Sequence, residues 1–306
     1  MTELAERMAQ AVARAETFSV WPGGDAPGAQ QSRARFTLEE RHTGATLLDR
    51  AVTGVRAPQI TVYQPASPNG VGLLVTPGGS YQRVVLDKEG SALAPAFTDA
   101  GYTLFVMTYR LPGDQHAEGP DAPLADAQRA LRLIRHRAAE YNLNADHIGI
   151  LGFSAGGHVA ASLATRYAEA VYAPLDEADE LSARPAFMAL AYPVITMTGA
   201  AAHSGSRQQL LGDAPDDAQE KRYSAEQAVT AATPPAFLFH AADDPAVKVE
   251  NSLMMYAALR DKGVPAELHL FEEGGHGFGI RDAEALPARA WPALLMRWIT
   301  RTLEKK

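Results

Sequence analysis

A chain of 306 residues that is 46% hydrophobic and 21% charged is long enough to bury one large core. It has no cysteine, which excludes disulfide frameworks, thiolate nucleophiles and cysteine-ligated zinc together. Its formal net charge is −8 with no lysine- or arginine-rich block, so it lacks the electrostatic footprint of a nucleic-acid or anionic-membrane binder.

At the start, MTELAERMAQAVARAE places Leu4, Met8 and Val12 at every fourth position, which predicts a short amphipathic helix. Glu3, Glu6, Arg7, Arg14 and Glu16 break any apolar stretch, so no signal peptide is read here. The expected location is cytoplasmic, or exported if a leader has been removed. Residues 1–18 read as an N-terminal helix or extension of a single domain covering 1–306. An irregular glycine- and proline-rich stretch, WPGGDAPGA (21–29), follows.

QITVYQP (59–65), VGLLVT (71–76) and TLFVMTYR (103–110) predict strands. In residues 123–142, Leu124, Ala127, Ala130, Leu131, Ile134 and Ala138 keep near-helical spacing. HIGILGF (147–153) is almost wholly apolar, as expected of a strand buried on both faces. A helix is predicted after Ser154, then strands at 186–195 and 235–241. Next come a helix at 249–263 closed by Gly263, a strand at 266–273 and a last helix from Trp291 to Leu303. This alternation predicts an α/β fold with a mostly parallel central sheet and helices on both faces. Residues 199–232 are polar and read as a surface excursion or a small lid. No apolar run approaches the ~20 residues of a membrane span.

GFSAGGH (152–158) joins a buried strand to a helix, and Gly152-Phe153-Ser154-Ala155-Gly156 fits G-x-S-x-G. Small residues are needed there because the serine sits on a strained turn that side chains would crowd. The Ala155 N–H then falls where a tetrahedral oxyanion would form. A glycine-rich turn without chemistry would show similar letters. A phosphate loop is excluded, because His158 stands where a lysine and then a hydroxyl are required. VTPGGSYQ (75–82) supplies a second candidate donor, the N–H of Gly79 or of Ser80, although Pro-Gly-Gly is also a plain turn signal.

The base should come last, on a loop after the final strands. His276 in EGGHGFG (273–279) has glycines on both sides to present its ring. His158 and His269 read as structural. The acid must lie between Ser154 and His276 in chain order, beyond a strand end, and HAADDPAV (240–247) offers Asp243 and Asp244. Pro245 disfavours the α region for Asp244 and holds it extended. Asp243 is placed to bond local backbone N–H groups in the turn. Tyr81, Arg110, His116, His203 and Arg207 are candidate substrate contacts from loops expected around Ser154. No metal-ligand spacing such as H-E-x-x-H occurs, and neither a metal nor a cofactor is expected.

The string HAADDPAVKVENS resembles the acid loop of α/β-hydrolase esterases, H-G-x-x-D-x-x-V, which implies Asp244 as the acid, with Ala241 in place of the usual glycine. WPGGDAPG, PGGSY, the KEG at 88–90, YRLPGD, GFSAGGHVAASLA, AYPVI, LLGD and GGHGFG follow in order from about residue 19 to 280. The chain resembles the bacterial carbohydrate acetylesterases of the α/β-hydrolase fold, the acetylxylan-esterase-like group. Ser80 departs from that pattern, which often has a third glycine there, and the export signal common in the group is not visible. The resemblance implies a serine esterase with a Ser154–His276–Asp244 triad, acting on a small-molecule or oligosaccharide ester. A general short-chain carboxylesterase or small peptidase of the same fold is the alternative, and a non-catalytic binding protein is a further one. The oligomeric state is not legible.

Overall fold

The buried apolar runs read as strands from the sequence lie in one large sheet of the computed structural model, which describes residues 2–43 and 47–304. In chain order the strands are β1 (Glu16–Ser19), β2 (Thr37–Glu40), β3 (Arg50–Thr53), β4 (Gln59–Tyr63), β5 (Gly72–Thr76), β6 (Val84–Val85), β7 (Thr103–Met107), β8 (Ile148–Phe153), β9 (Met188–Ala191), β10 (Ala236–Ala241) and β11 (Ala266–Phe271). The helices are α1 (Thr2–Arg14), α2 (Ala94–Asp99), α3 (Ala122–His136), α4 (Ser154–Arg166), α5 (Ser204–Leu211), α6 (Asp217–Arg222), α7 (Glu250–Asp261) and α8 (Trp291–Leu303). The main sheet runs β1-β4-β7-β5-β8-β9-β10-β11. It is parallel from β7 to β11 and antiparallel only where β4 meets β1 and β7.

Side chains alternate across this sheet because successive residues of a strand point to opposite faces. Leu74, Ile150, Leu190 and Leu238 pack on one face with α3, α4 and α7. Leu73, Leu151, Ala189 and Phe237 pack on the other with α2 and α8 and with Ala11 and Val12 of α1. Burial on both faces explains why these strands read as continuous apolar runs.

Three differences from the sequence expectation have physical causes. Residues 16–19, at the end of the segment read as an N-terminal helix or extension, form a strand. They pair with β4 as an edge strand, mostly exposed and so without an apolar signature. A second, antiparallel sheet, β2-β3-β6, was not predicted, since β2 is wholly exposed and β6 has only two residues. The strand expected over 186–195 stops at Ala191, because Tyr192 adopts φ 35° and leads the chain out of the sheet. The polar stretch 199–232 holds α5 and α6, tied together by the Arg207–Glu220 ion pair.

Candidate active site

Three loops at the carboxyl ends of the parallel strands carry the functional groups, where ligands bind in open α/β sheets. Between β8 and α4 the chain reverses so tightly that Ser154 takes the left-handed φ of 52°. Only glycine fits around it. A Cβ on Gly152 would stand 2.3 Å from the Gly156 carbonyl oxygen, and one on Gly156 would stand 2.0 Å from the Thr76 carbonyl oxygen. The Ser154 hydroxyl donates to His276 Nε2 at 2.8 Å.

His276 lies beyond β11, between Gly275 and Gly277, which both have positive φ. Its Nδ1–H donates to Asp244 Oδ2 at 2.7 Å. Asp244 sits just past β10 and its carboxylate is fully engaged. Oδ1 accepts the Ala246 and Val247 N–H groups at 2.9 Å, and Oδ2 also accepts His240 Nε2–H at 3.0 Å. Burial alone would raise the Asp244 pKa. The hydrogen bonds from His240 and His276 outweigh it, with help from the His276 charge and the Val247 N–H, and hold the group well below the usual carboxylate range. His240 is itself buried and accepts from the Ser252 hydroxyl at 2.8 Å.

The adjacent Asp243 departs from the sequence expectation that it bonds N–H groups of the local turn. Its Oδ1 accepts the Gly275 N–H at 2.8 Å, 32 residues away, and the local N–H groups belong to Asp244. The pair thus divides its work: Asp243 anchors the backbone of the histidine loop, and Asp244 holds the ring.

After β5, Pro77-Gly78-Gly79-Ser80 lies against the serine. A Cβ on Gly78 would stand 2.8 Å from Ser154 Cβ. The N–H of Gly78 is used by Glu89 Oε2 at 2.7 Å, whereas among the described residues no acceptor meets the N–H of Gly79 or Ser80. Ala155 adds a first-turn N–H of α4, which has no intrahelical partner. Gly79, Ser80, Ser154, His276 and Glu89 line one cleft of about 200 Å³. A larger cleft, about 390 Å³ between α1, α2 and β4, contains none of these groups.

The model of the BD-FAE family matches residues 71–259, more than half the chain. The chain belongs to the BD-FAE family. The matched span holds Gly79, Ser80, Ser154 and Asp244 and ends before His276. Endo-1,4-β-xylanase B of Butyrivibrio fibrisolvens is 37% identical over 212 residues, covering 69% of this chain and 33% of that protein. An acetylxylan esterase of Xylanibacter ruminicola is 33% identical over 227 residues, covering 72% of this chain and 44% of that protein. This chain therefore spans between a third and a half of the length of the curated relatives it matches. Among solved structures, the acetyl ester-xyloside bifunctional hydrolase from Caldicellulosiruptor lactoaceticus has a TM-score of 0.74 and 31% identity, covering 94% of this chain and 96% of that one. The fold is that of the α/β hydrolases.

In this BD-FAE member, four of the candidate substrate contacts, Tyr81, Arg110, His116 and Arg207, are buried or committed to partners of their own, and none of them lines the Ser154 cleft. Tyr81 is buried, because Ser80 and Tyr81 both take positive φ and turn the ring inward. Its O–H donates to His158 Nδ1 at 2.7 Å, and His158 Nε2–H donates to the Tyr223 carbonyl at 2.6 Å. Arg110 is buried in ion pairs with Asp126 and Glu118 at 3.0 and 2.6 Å. His116 is buried with neither ring nitrogen hydrogen-bonded among the described residues; desolvation, then the Arg110 charge, lowers its pKa to about 4. Arg207 is committed to Glu220. His203 accepts the Ser206 N–H at 3.2 Å, which caps α5, and it lies near enough to His276 and Asp244 for their charges to act on it. Burial is the larger influence and lowers its pKa.

Two residues at the site were not singled out from the sequence. Glu89 accepts from Gly78 through Oε2 and from the Tyr192 hydroxyl through Oε1 at 2.9 Å. That hydroxyl accepts the Gly279 N–H at 3.1 Å, and the Tyr192 ring stands 5.1 Å from the His276 ring. The Glu89–Tyr192 pair thus ties the Gly79 loop to the histidine loop. Only the glutamate within KEG gave a signal. Tyr192→Phe leaves Glu89 Oε1 and the Gly279 N–H unpartnered. It should destabilise the protein by about 1–3 kcal/mol and lower ester turnover, checked by urea unfolding beside kcat. Unchanged stability and turnover would remove the pair from the site's support. Among the described residues no cluster of three or more potential metal ligands is present, and no helix is long and apolar enough to cross a membrane.

Proposed function

We propose that this chain is a serine esterase that removes short acyl groups, above all acetyl, from carbohydrate, with xylan-derived oligosaccharides as the substrate class. The observation that carries this reading is the continuous relay from the Ser154 hydroxyl through His276 to Asp244, with links of 2.8 and 2.7 Å. The names of the relatives, an acetylxylan esterase and an acetyl ester-xyloside hydrolase, support the alcohol and acyl parts. Ser80 lines the cleft and adds bulk beside the oxyanion position, which favours a small acyl group.

With Asp244 holding the Nδ1–H, His276 Nε2 is free to take the Ser154 proton as the oxygen attacks the ester carbonyl. The developing oxyanion is met by the Ala155 N–H and by Gly79 or Ser80, each such donor being worth about 3 kcal/mol. His276 then protonates the departing sugar alkoxide. Water, deprotonated by the same nitrogen, then attacks the acyl–Ser154 ester; the acyl–Oγ bond breaks, His276 returns the proton to Ser154, and the acyl group leaves as the carboxylic acid.

Acetate release from acetylated xylo-oligosaccharides, run beside aryl esters of rising acyl length, tests this. Acetyl should exceed butyryl, and both should exceed octanoyl by far. One methylene discriminates by only ~1–3 kcal/mol, so some butyryl turnover is expected. A preference for octanoyl with no acetate from any acetylated sugar would move the assignment to a general carboxylesterase.

A further inference from the structure

Three cationic side chains, Arg41, Arg83 and Lys88, line the cleft that contains Ser154, in a chain of formal net charge −8. Two of them are paired: Arg41 with Asp49 at 3.4 Å and Lys88 with Asp282 at 2.7 Å. Of the three, Arg83 alone has no acidic partner among the described residues. The carboxylate that shares the cleft, Glu89, is turned to Gly78 and Tyr192 and is itself buried.

Arg83 is also fixed at its base. Its N–H donates to the Gly79 carbonyl at 3.2 Å, and the next residue begins β6, which pairs with β3. A Cβ on Gly79 would meet the Arg83 carbonyl oxygen at 2.2 Å and its Cγ at 2.8 Å, so the stem of the arginine lies directly on the loop that carries the free N–H groups. The small sheet thereby sets an unpaired guanidinium at the rim of the reacting centre.

We propose that Arg83 binds a carboxylate on the substrate, so that this site prefers acidic esters to neutral ones. The proposal rests on the esterase reading above and extends it. A guanidinium presents a planar fork that matches a carboxylate through two parallel hydrogen bonds, and engaging Arg83 breaks no existing pair. Arg41 and Lys88 edge the same cleft and add a weaker attraction for an anion, partly offset by Asp49 and Asp282. The carboxylate has two chemical sources. It is either a uronic acid unit on the glycan, on the alcohol side of the ester, or the far end of a dicarboxylic acyl group.

The experiment measures kcat/KM in two arms, with p-nitrophenyl acetate turnover as the common control. One arm compares acetate release from acetylated xylo-oligosaccharides with and without a uronic acid branch. The other compares p-nitrophenyl hemisuccinate with p-nitrophenyl butyrate, which has the same chain length without the charge. The acidic member of at least one pair should be favoured by about five- to tenfold, the range of an exposed charge-assisted contact. That ratio should fall with added salt and collapse towards one in Arg83→Gln, while Arg83→Lys keeps part of it. The arm that responds identifies the source. A ratio at or below one in both arms, or a preference that Arg83→Gln leaves intact, overturns the proposal and leaves the esterase reading standing. Absence of turnover on p-nitrophenyl acetate and on every acetylated sugar overturns both.

Discussion

Ser154→Ala should lower kcat on p-nitrophenyl acetate by about four to six orders of magnitude and leave the protein folded. The hydroxyl is the only group lost. It makes one side-chain hydrogen bond, to His276, and the residue sits in a turn held by backbone packing rather than by its side chain. Alanine meets the same left-handed φ with the same Cβ, so the strain of the elbow is unchanged. His276→Ala should cost a similar factor, because the two act as a unit. The double variant should be little worse than either single one. Thermal unfolding by circular dichroism, run with the kinetics, separates lost chemistry from lost structure. Turnover near the unmodified level in a folded Ser154→Ala protein would end the serine mechanism.

Much of the site's geometry was legible because it is written in motifs with a steric cause. The glycines at 152 and 156 are required by contacts of 2.3 and 2.0 Å, so G-x-S-x-G marks this elbow wherever the chain turns so sharply. Chain order then placed a histidine and an aspartate on later loops, and the structure brings His276 and Asp244 to Ser154. What the sequence did not carry is side-chain direction. Tyr81 stands two residues from Gly79 and still points into the core, because two consecutive positive φ values turn it there. Arg110 is an arginine at a strand end by its letters and a buried partner of Asp126 by its contacts. The small β2-β3-β6 sheet was missed for a related reason. Its strands are too short or too exposed to show a period, and it exists because β3 pairs on both edges. Glu89 and Tyr192 lie 103 residues apart, and a buried bond across that distance has no local signature.

Asp244→Asn should cost about 10⁴ in kcat, a loss of the size measured for the same change in another triad. The four hydrogen bonds to this carboxylate all come from donors: His276, His240 and the N–H groups of Ala246 and Val247. An amide has one oxygen for these four. With the oxygen left on the backbone pair, the NH2 faces His276 Nδ1, and the imidazole must turn to the tautomer that carries its proton on Nε2. That nitrogen then donates towards Ser154 and cannot take its proton. With the amide flipped, two backbone N–H groups lose their acceptor, at a cost of about 1–3 kcal/mol. The charge has a consequence for stability as well. The Asp244 pKa is lower in the folded chain than the ordinary value of about 4, so its contribution is fully present above that pH and is lost as pH falls through the folded value. The stability gap between the unmodified protein and Asp244→Asn should therefore hold from neutral pH down to about pH 4 and narrow below it. Asp243→Asn is the control. Its side-chain oxygen still accepts the Gly275 N–H, so turnover should fall by less than about tenfold, the scale of one neutral hydrogen bond. Urea unfolding across pH, with kcat for both variants, decides the matter. If the larger loss fell on Asp243, the anchoring of the Gly275 backbone would outweigh the hold on the imidazole, and the roles assigned to the two neighbours would be reversed.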